Sequence, residues 1–140
     1  TYIVVADGNV SATGYTLPSS FGLEVYGLGR EAATNPSNTD ILVHHGSSDA
    51  PIVDILETGL NNPGATIVEN LAYTDFQDYL ELPTDDYIIE VRDETGSVTV
   101  AAYEAPLAGL SLNGAAAVAV AAGPVEAAEE KSQVTHNGDK

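Results

Sequence analysis

Cysteine, methionine and tryptophan are absent from the 140 residues. Without cysteine there can be no disulfide framework and no thiolate metal site. Basic residues are nearly absent too. Arg30, Arg92, Lys131 and Lys140 stand against 21 acids, a formal net charge of −17. That balance excludes nucleic acid as a partner, because phosphate binding rests on Lys and Arg. It argues equally against anionic membrane surfaces. No apolar run reaches the 18 or so residues that a spanning helix needs, so membrane insertion is not expected. The chain opens on Thr1 rather than Met, and is expected to be a processed product or a fragment.

What is present suits one globular unit. Apolar residues make up 44% of the chain, and a chain this long buries about two-thirds of its unfolded surface. The acidic excess suits solubility at high salt, or a surface that takes up cations.

Short apolar runs separated by turn residues dominate the pattern. Thr1–Ala6 (TYIVVA) is apolar throughout, as in a strand buried on both faces. Asp7-Gly8-Asn9 ends it. Leu23–Tyr26, Asp40–His45, Ile52–Leu56, Thr66–Asn70 and Asp78–Leu82 are further strands. Gly27–Asn38 is a loop or linker, and Leu60–Ala65 is turn chemistry around Pro63-Gly64. Tyr87–Arg92 and Ser97–Glu104 flank Asp93-Glu94-Thr95-Gly96, a hairpin with Gly96 in the left-handed region. Ala115–Ala122 is expected to be a central strand, although its alanines would also allow a helix. TYIVVADG at the start echoes AAVAVAAG at 116–123. Eight or nine strands without a long helix predict an all-β fold, an antiparallel immunoglobulin-like β-sandwich. The expected organisation is an N-terminal arm and linker over 1–39, a sandwich over 40–123, and a polar tail over 124–140.

Residues 40–123 resemble the DUF4397 family of extracellular β-sandwich domains. Val43–Ile55 (VHHGSSDAPIVDI) is similar to that family's V-H-A-S-P-D-A-P-x-V-D-v. Leu71–Val91 and Ala115–Gly123 are similar to its later motifs. Two residues depart from the first motif: Gly46 and Ser48 stand where the family has Ala and Pro. Asp86 replaces a later Gly. The resemblance implies a secreted or cell-surface location in a prokaryote, often in tandem repeats, and brings no enzymatic role with it.

The chemistry-bearing residues have structural readings that outweigh functional ones. His44 and His45 are adjacent on a strand and point to opposite faces, so they do not easily share a metal. Either His with Ser47, Ser48 and Asp49 supplies the residue types of a hydrolytic triad. A triad must converge in space on an oxyanion hole, and no G-x-S-x-G elbow occurs. Turn capping is the stronger reading for Ser48 and Asp49. No catalytic residue is expected, and no resident cofactor. Calcium is the candidate cation, with Asp85, Asp86, Asp49 and Asp54 as candidate ligands, although no EF-hand loop is present. Tyr73, Phe76, Tyr79 and Tyr87 could form a platform for glycans.

The N-terminal arm stands out. Thr1, Tyr2, Ile3, Val4 and Val5 are too apolar to remain an exposed edge, yet the family-like region carries its own closing strand. Three destinations are open for this segment: an added strand of its own sandwich, the remnant of a preceding domain, or a strand donated to a neighbouring subunit. The expected function is therefore a non-enzymatic extracellular structural module, a fibre subunit or a surface adhesion or stalk domain. Its principal partner would be itself, through N-terminal strand donation. The alternative is a monomeric module that binds glycans or calcium.

Overall fold

The computed structural model describes residues 1–11, 13, 14, 20–58 and 64–123. The tail expected over 124–140 and most of the turn expected over 60–65 lie outside them. The described residues form nine strands and no helix. These are β1 (Ile3–Asp7), β2 (Gly22–Tyr26), β3 (Asn38–Gly46), β4 (Val53–Glu57), β5 (Ala65–Leu71), β6 (Phe76–Pro83), β7 (Asp86–Asp93), β8 (Thr99–Pro106) and β9 (Ala116–Ala122). Each expected strand is found, and the fold is the all-β sandwich that the alternation predicts.

Three sheets stack in layers. β5-β4-β7-β8 form one, β6-β3-β9 the next, and β1-β2 a two-stranded third. The core lies between the first two. Val53, Ile55, Val68 and Leu71 are buried there, with Val43 and Leu80 of the facing sheet against them. Side chains alternate along a strand, so the opposite face of β3 carries Asp40, Leu42 and His44, each 0% exposed. The β1-β2 hairpin covers that face.

Two expectations are corrected. β9 pairs with β3 in parallel, from Asp40↔Ala116 to Gly46↔Ala122, whereas the other strand pairs are antiparallel. It is also an edge strand rather than a central one, with residues 118–122 exposed. Small side chains without charge look the same on an edge as in a core, which is why the pattern misleads here.

The Asp93–Gly96 turn joins β7 to β8 as expected. Gly96 has φ 70°, and the Asp93 carboxylate accepts the backbone N–H of Ser97 and Val98. Those bonds hold the Asp93 carboxyl below the usual carboxylate range, the Val98 N–H contributing most.

Candidate functional site

The best-built constellation joins the N-terminal hairpin to β3 and β6. β1 brings Asp7 and β2 brings Tyr26, both on the hairpin's inner face. Strand pairing aligns Ile3 with Tyr26 and Asp7 with Gly22, so the two anchors sit at opposite ends of the hairpin.

At one end, His44 Nε2 lies 2.6 Å from Asp7 Oδ2, with both side chains buried. The carboxylate needs a donor, which places a proton on Nε2. Among the described residues, His44 Nδ1 is buried with no hydrogen-bond partner. The ring stacks on Phe76, centroids 4.2 Å apart. Gly46 makes the approach of Asp7 possible. A Cβ at that position would lie 2.6 Å from Asp7 Oδ1 and 2.9 Å from the Ala121 carbonyl oxygen.

At the other end, the Tyr26 hydroxyl donates to Asp78 Oδ1. That bond, with burial and the negative charge of Asp78, pushes the Tyr26 pKa up to about 12. Reciprocally, the Tyr26 hydroxyl and the Tyr79 N–H hold the Asp78 carboxyl below its ordinary value. Tyr26 also meets the rings of Phe76 and Tyr79, at 5.4 and 6.0 Å.

A β-bulge presents these partners. Between Ile41↔Leu80 and Val43↔Gln77 the register shifts, so that β6 advances three residues while β3 advances two. The extra residue breaks strict alternation. Asp78 and Tyr79, consecutive in sequence, both turn towards the hairpin and the loop behind it.

That segment, expected as a loop or linker over 27–38, is pinned. The Arg30 N–H donates to the Tyr79 hydroxyl oxygen at 2.8 Å, and its guanidinium lies 4.7 Å from the Tyr79 ring centroid. Arg30 Nη1 bridges Asp40 Oδ2 and Glu81 Oε1, at 2.7 and 2.8 Å. The Thr34 N–H also donates to Asp40 Oδ2. Burial pushes the Asp40 carboxyl up; the Thr34 N–H and the Arg30 guanidinium outweigh it and leave it below its usual value. Gly29 N–H donates to the Thr1 carbonyl and Ala33 N–H to that of Gly114.

The turn after β3 is a separate network. The Ser47 N–H donates to His45 Nδ1. The His45 proton therefore sits on Nε2, which donates to the Pro51 carbonyl at 3.0 Å. Both ring nitrogens are thus engaged by backbone. The Ser47 hydroxyl has one proton, and the Gly123 carbonyl at 2.7 Å takes it in preference to Asp49 Oδ1 at 3.3 Å. Ser47 in this way ties the turn to the end of β9. The triad residue types lie close in space, but no Ser–His side-chain bond connects them among the described residues. A cleft of about 120 Å³ opens between Asp7, Gly46, Ser48 and Gly123. It is below the roughly 300 Å³ of the smallest ordinary ligand pockets.

Three of the four candidate calcium ligands hold backbone, and Asp49 lies beside the Ser47 hydroxyl. Asp54 accepts the Asn70 N–H, Asp85 the Asp86 N–H and Asp86 the Gly109 N–H. Among the described residues no three His, Asp or Glu side chains form a metal-holding group. The four aromatic candidates are dispersed. Phe76 and Tyr79 contact the hairpin, Tyr73 lies edge-on to His45, and the Tyr87 hydroxyl donates to the Pro83 carbonyl. Of Thr1–Val5, the candidate assembly segment, Ile3, Val4 and Val5 belong to β1 and pair with β2 of their own chain. Nothing in the sequence marks Asp7 or Tyr26 as an anchor. Asp7 and His44 are 37 positions apart, and no local signal links them.

No curated protein and no solved structure matches the chain. The family-wide sequence model described as "Domain of unknown function (DUF4397)" matches residues 39–137. The hairpin lies outside that match. Gly46, one of the two departures from the family's first motif, lies within the matched region and faces Asp7, which comes from outside it. With most of its length matched in this way, the chain belongs to the DUF4397 family.

Proposed function

We propose that this chain is a non-enzymatic structural module of a prokaryotic surface or secreted assembly, either a fibre subunit or a stalk or adhesion domain, and that it associates with its own kind through the N-terminal hairpin. The observation that carries this reading is the hairpin itself. It is an addition to the family domain, locked on by its inner face, with an outer face of uncovered apolar side chains. The engaged ring nitrogens of His45 and the small cleft support a role without catalysis, and no cofactor enters this reading. Nucleic acid and membrane insertion have no part in it.

Strand donation remains the more drastic version of self-assembly. It would require β1 to leave β2 and Asp7 to leave His44. Negative-stain microscopy and size-exclusion chromatography of the full chain, beside a version lacking residues 1–8, test the reading. Assemblies that disappear on removal of residues 1–8 support it. Assemblies that persist unchanged, or a chain monomeric at every concentration and salt, overturn it.

A further inference from the structure

The hairpin has two faces of different character. Its inner face is used up by Asp7 and Tyr26. The outer face carries Tyr2, Val4 and Ala6 from one strand and Phe21, Leu23 and Val25 from the other, with Val4 opposite Val25 and Ala6 opposite Leu23. All six are exposed, Tyr2 by 74% and Leu23 by 60%. None bears a charge, in a chain with a net charge of −17. Glu24, the one charged residue of β2, alternates to the other side.

We infer that this face is covered by the same face of a second copy, hairpin on hairpin, in a symmetric dimer. The inference rests on the self-association proposed above and names its surface. Charge selects the occupant. A cationic partner would be drawn to the acidic remainder of the molecule, whereas an uncharged apolar face is complemented by another such face. The chain carries one in the right shape, because two flat sheet faces stack about 10 Å apart with their side chains interdigitated. Area sets the strength. The five large side chains expose on the order of 500 Å² per copy, which is at the upper end for a lone apolar patch. Two copies together bury on the order of 1,000 Å², the threshold of a specific interface. The dimer is accordingly weak, and it forms where charge repulsion is screened or where copies are concentrated. An isologous contact closes on itself. It pairs modules side by side, and growth of a fibre needs a second surface.

The test is sedimentation velocity of the full chain at roughly 50 μM in low salt and in about 2 M NaCl. Three proteins are compared: wild type, Val25→Glu and Val25→Lys. Both substitutions are on an exposed strand position, and an unchanged melting temperature establishes that each variant is folded. Wild type is expected to dimerise in high salt. Both variants are expected to weaken the dimer at least tenfold, the Lys variant included, although it lowers the net charge. Association retained or strengthened in Val25→Lys would overturn the inference and leave self-assembly through another surface standing. Wild-type species larger than a dimer that vanish in both variants would mean a head-to-tail contact, which also overturns it. A wild type monomeric under both conditions removes this inference and the self-association reading together.

Discussion

Asp7 is a carboxylate placed at the end of an apolar strand and then buried, at 5% exposure, against a histidine. A buried acid is stable only with a donor, and a buried ring N–H only with an acceptor. Each supplies the other. Asp7→Ala leaves the His44 N–H orphaned, and is expected to cost about 1–3 kcal/mol. Gly46→Ala inserts a methyl group 2.6 Å from Asp7 Oδ1, and a forced overpacking costs about 1–3 kcal/mol as well. The two costs are not independent, because part of the second is a clash with the atom that the first removes. The double variant should therefore be more stable than the sum of the single losses implies, by at least about 0.5 kcal/mol. Urea denaturation of the four proteins at one salt concentration measures this. Strict additivity would mean that Gly46 serves the Ala121 carbonyl contact and not Asp7.

At the level of strands, the Tyr26 end of the hairpin and the loop behind it are held by groups whose shifts lie outside the neutral range. The signs follow from the shifts. The Asp78 and Asp40 carboxyls lie below their ordinary value in the fold, so their contribution is complete above a pH of about 4 and is lost as the pH falls through the folded values. Tyr26 is raised to about 12. Its contribution is complete below the unfolded value of about 10 and is lost as the pH climbs from about 10 to about 12. The acid edge should appear as pepsin cleavage around Phe21–Leu23 before cleavage in β3 or β7. The alkaline edge should appear in tyrosinate absorbance as a component titrating near 12 that Tyr26→Phe removes. If that component survives the substitution, the Tyr26–Asp78 bond is not what holds the second end of the hairpin.

The same elements mark what could be read in advance. Nine strands were legible because period-two alternation and Gly, Pro and Asp turns are local signals. The direction of β9 was not, since AAVAVAA pairs equally well either way and nothing in its composition distinguishes edge from interior. The layer formed by the hairpin was also hidden. Its anchors depend on a contact between distant residues and on a bulge that sends both Asp78 and Tyr79 to one side. Strict alternation would have put them on opposite faces. The His45–Ser47–Gly123 network was legible only in outline, as turn capping. Its far end is a backbone carbonyl that no side-chain pattern reports.

For the whole molecule the governing quantity is charge. Arg30 and Arg92 are committed to ion pairs with Asp40, Glu81 and Glu90, and the chain keeps a net charge of −17. Self-repulsion opposes the compact state, while the few pairs favour it, and salt weakens both. The outcome depends on number and on burial. Exposed like charges are many and are screened once the Debye length falls from about 10 Å at 0.1 M salt to about 3 Å at 1 M. The Arg30–Asp40 pair is half shielded by protein and loses less. Stability should therefore rise with NaCl, by about 1–2 kcal/mol between 0.1 and 1 M, or roughly 5 °C in melting temperature. Choline chloride at equal ionic strength should do the same, because the effect is one of screening. A fall in melting temperature would mean that the arginine pairs outweigh the repulsion. A further saturable rise on millimolar CaCl₂ at constant ionic strength would separate specific cation binding from screening. Asp54→Asn and Asp86→Asn would then show whether those acids take part, since each already accepts a backbone N–H that an asparagine oxygen can still receive.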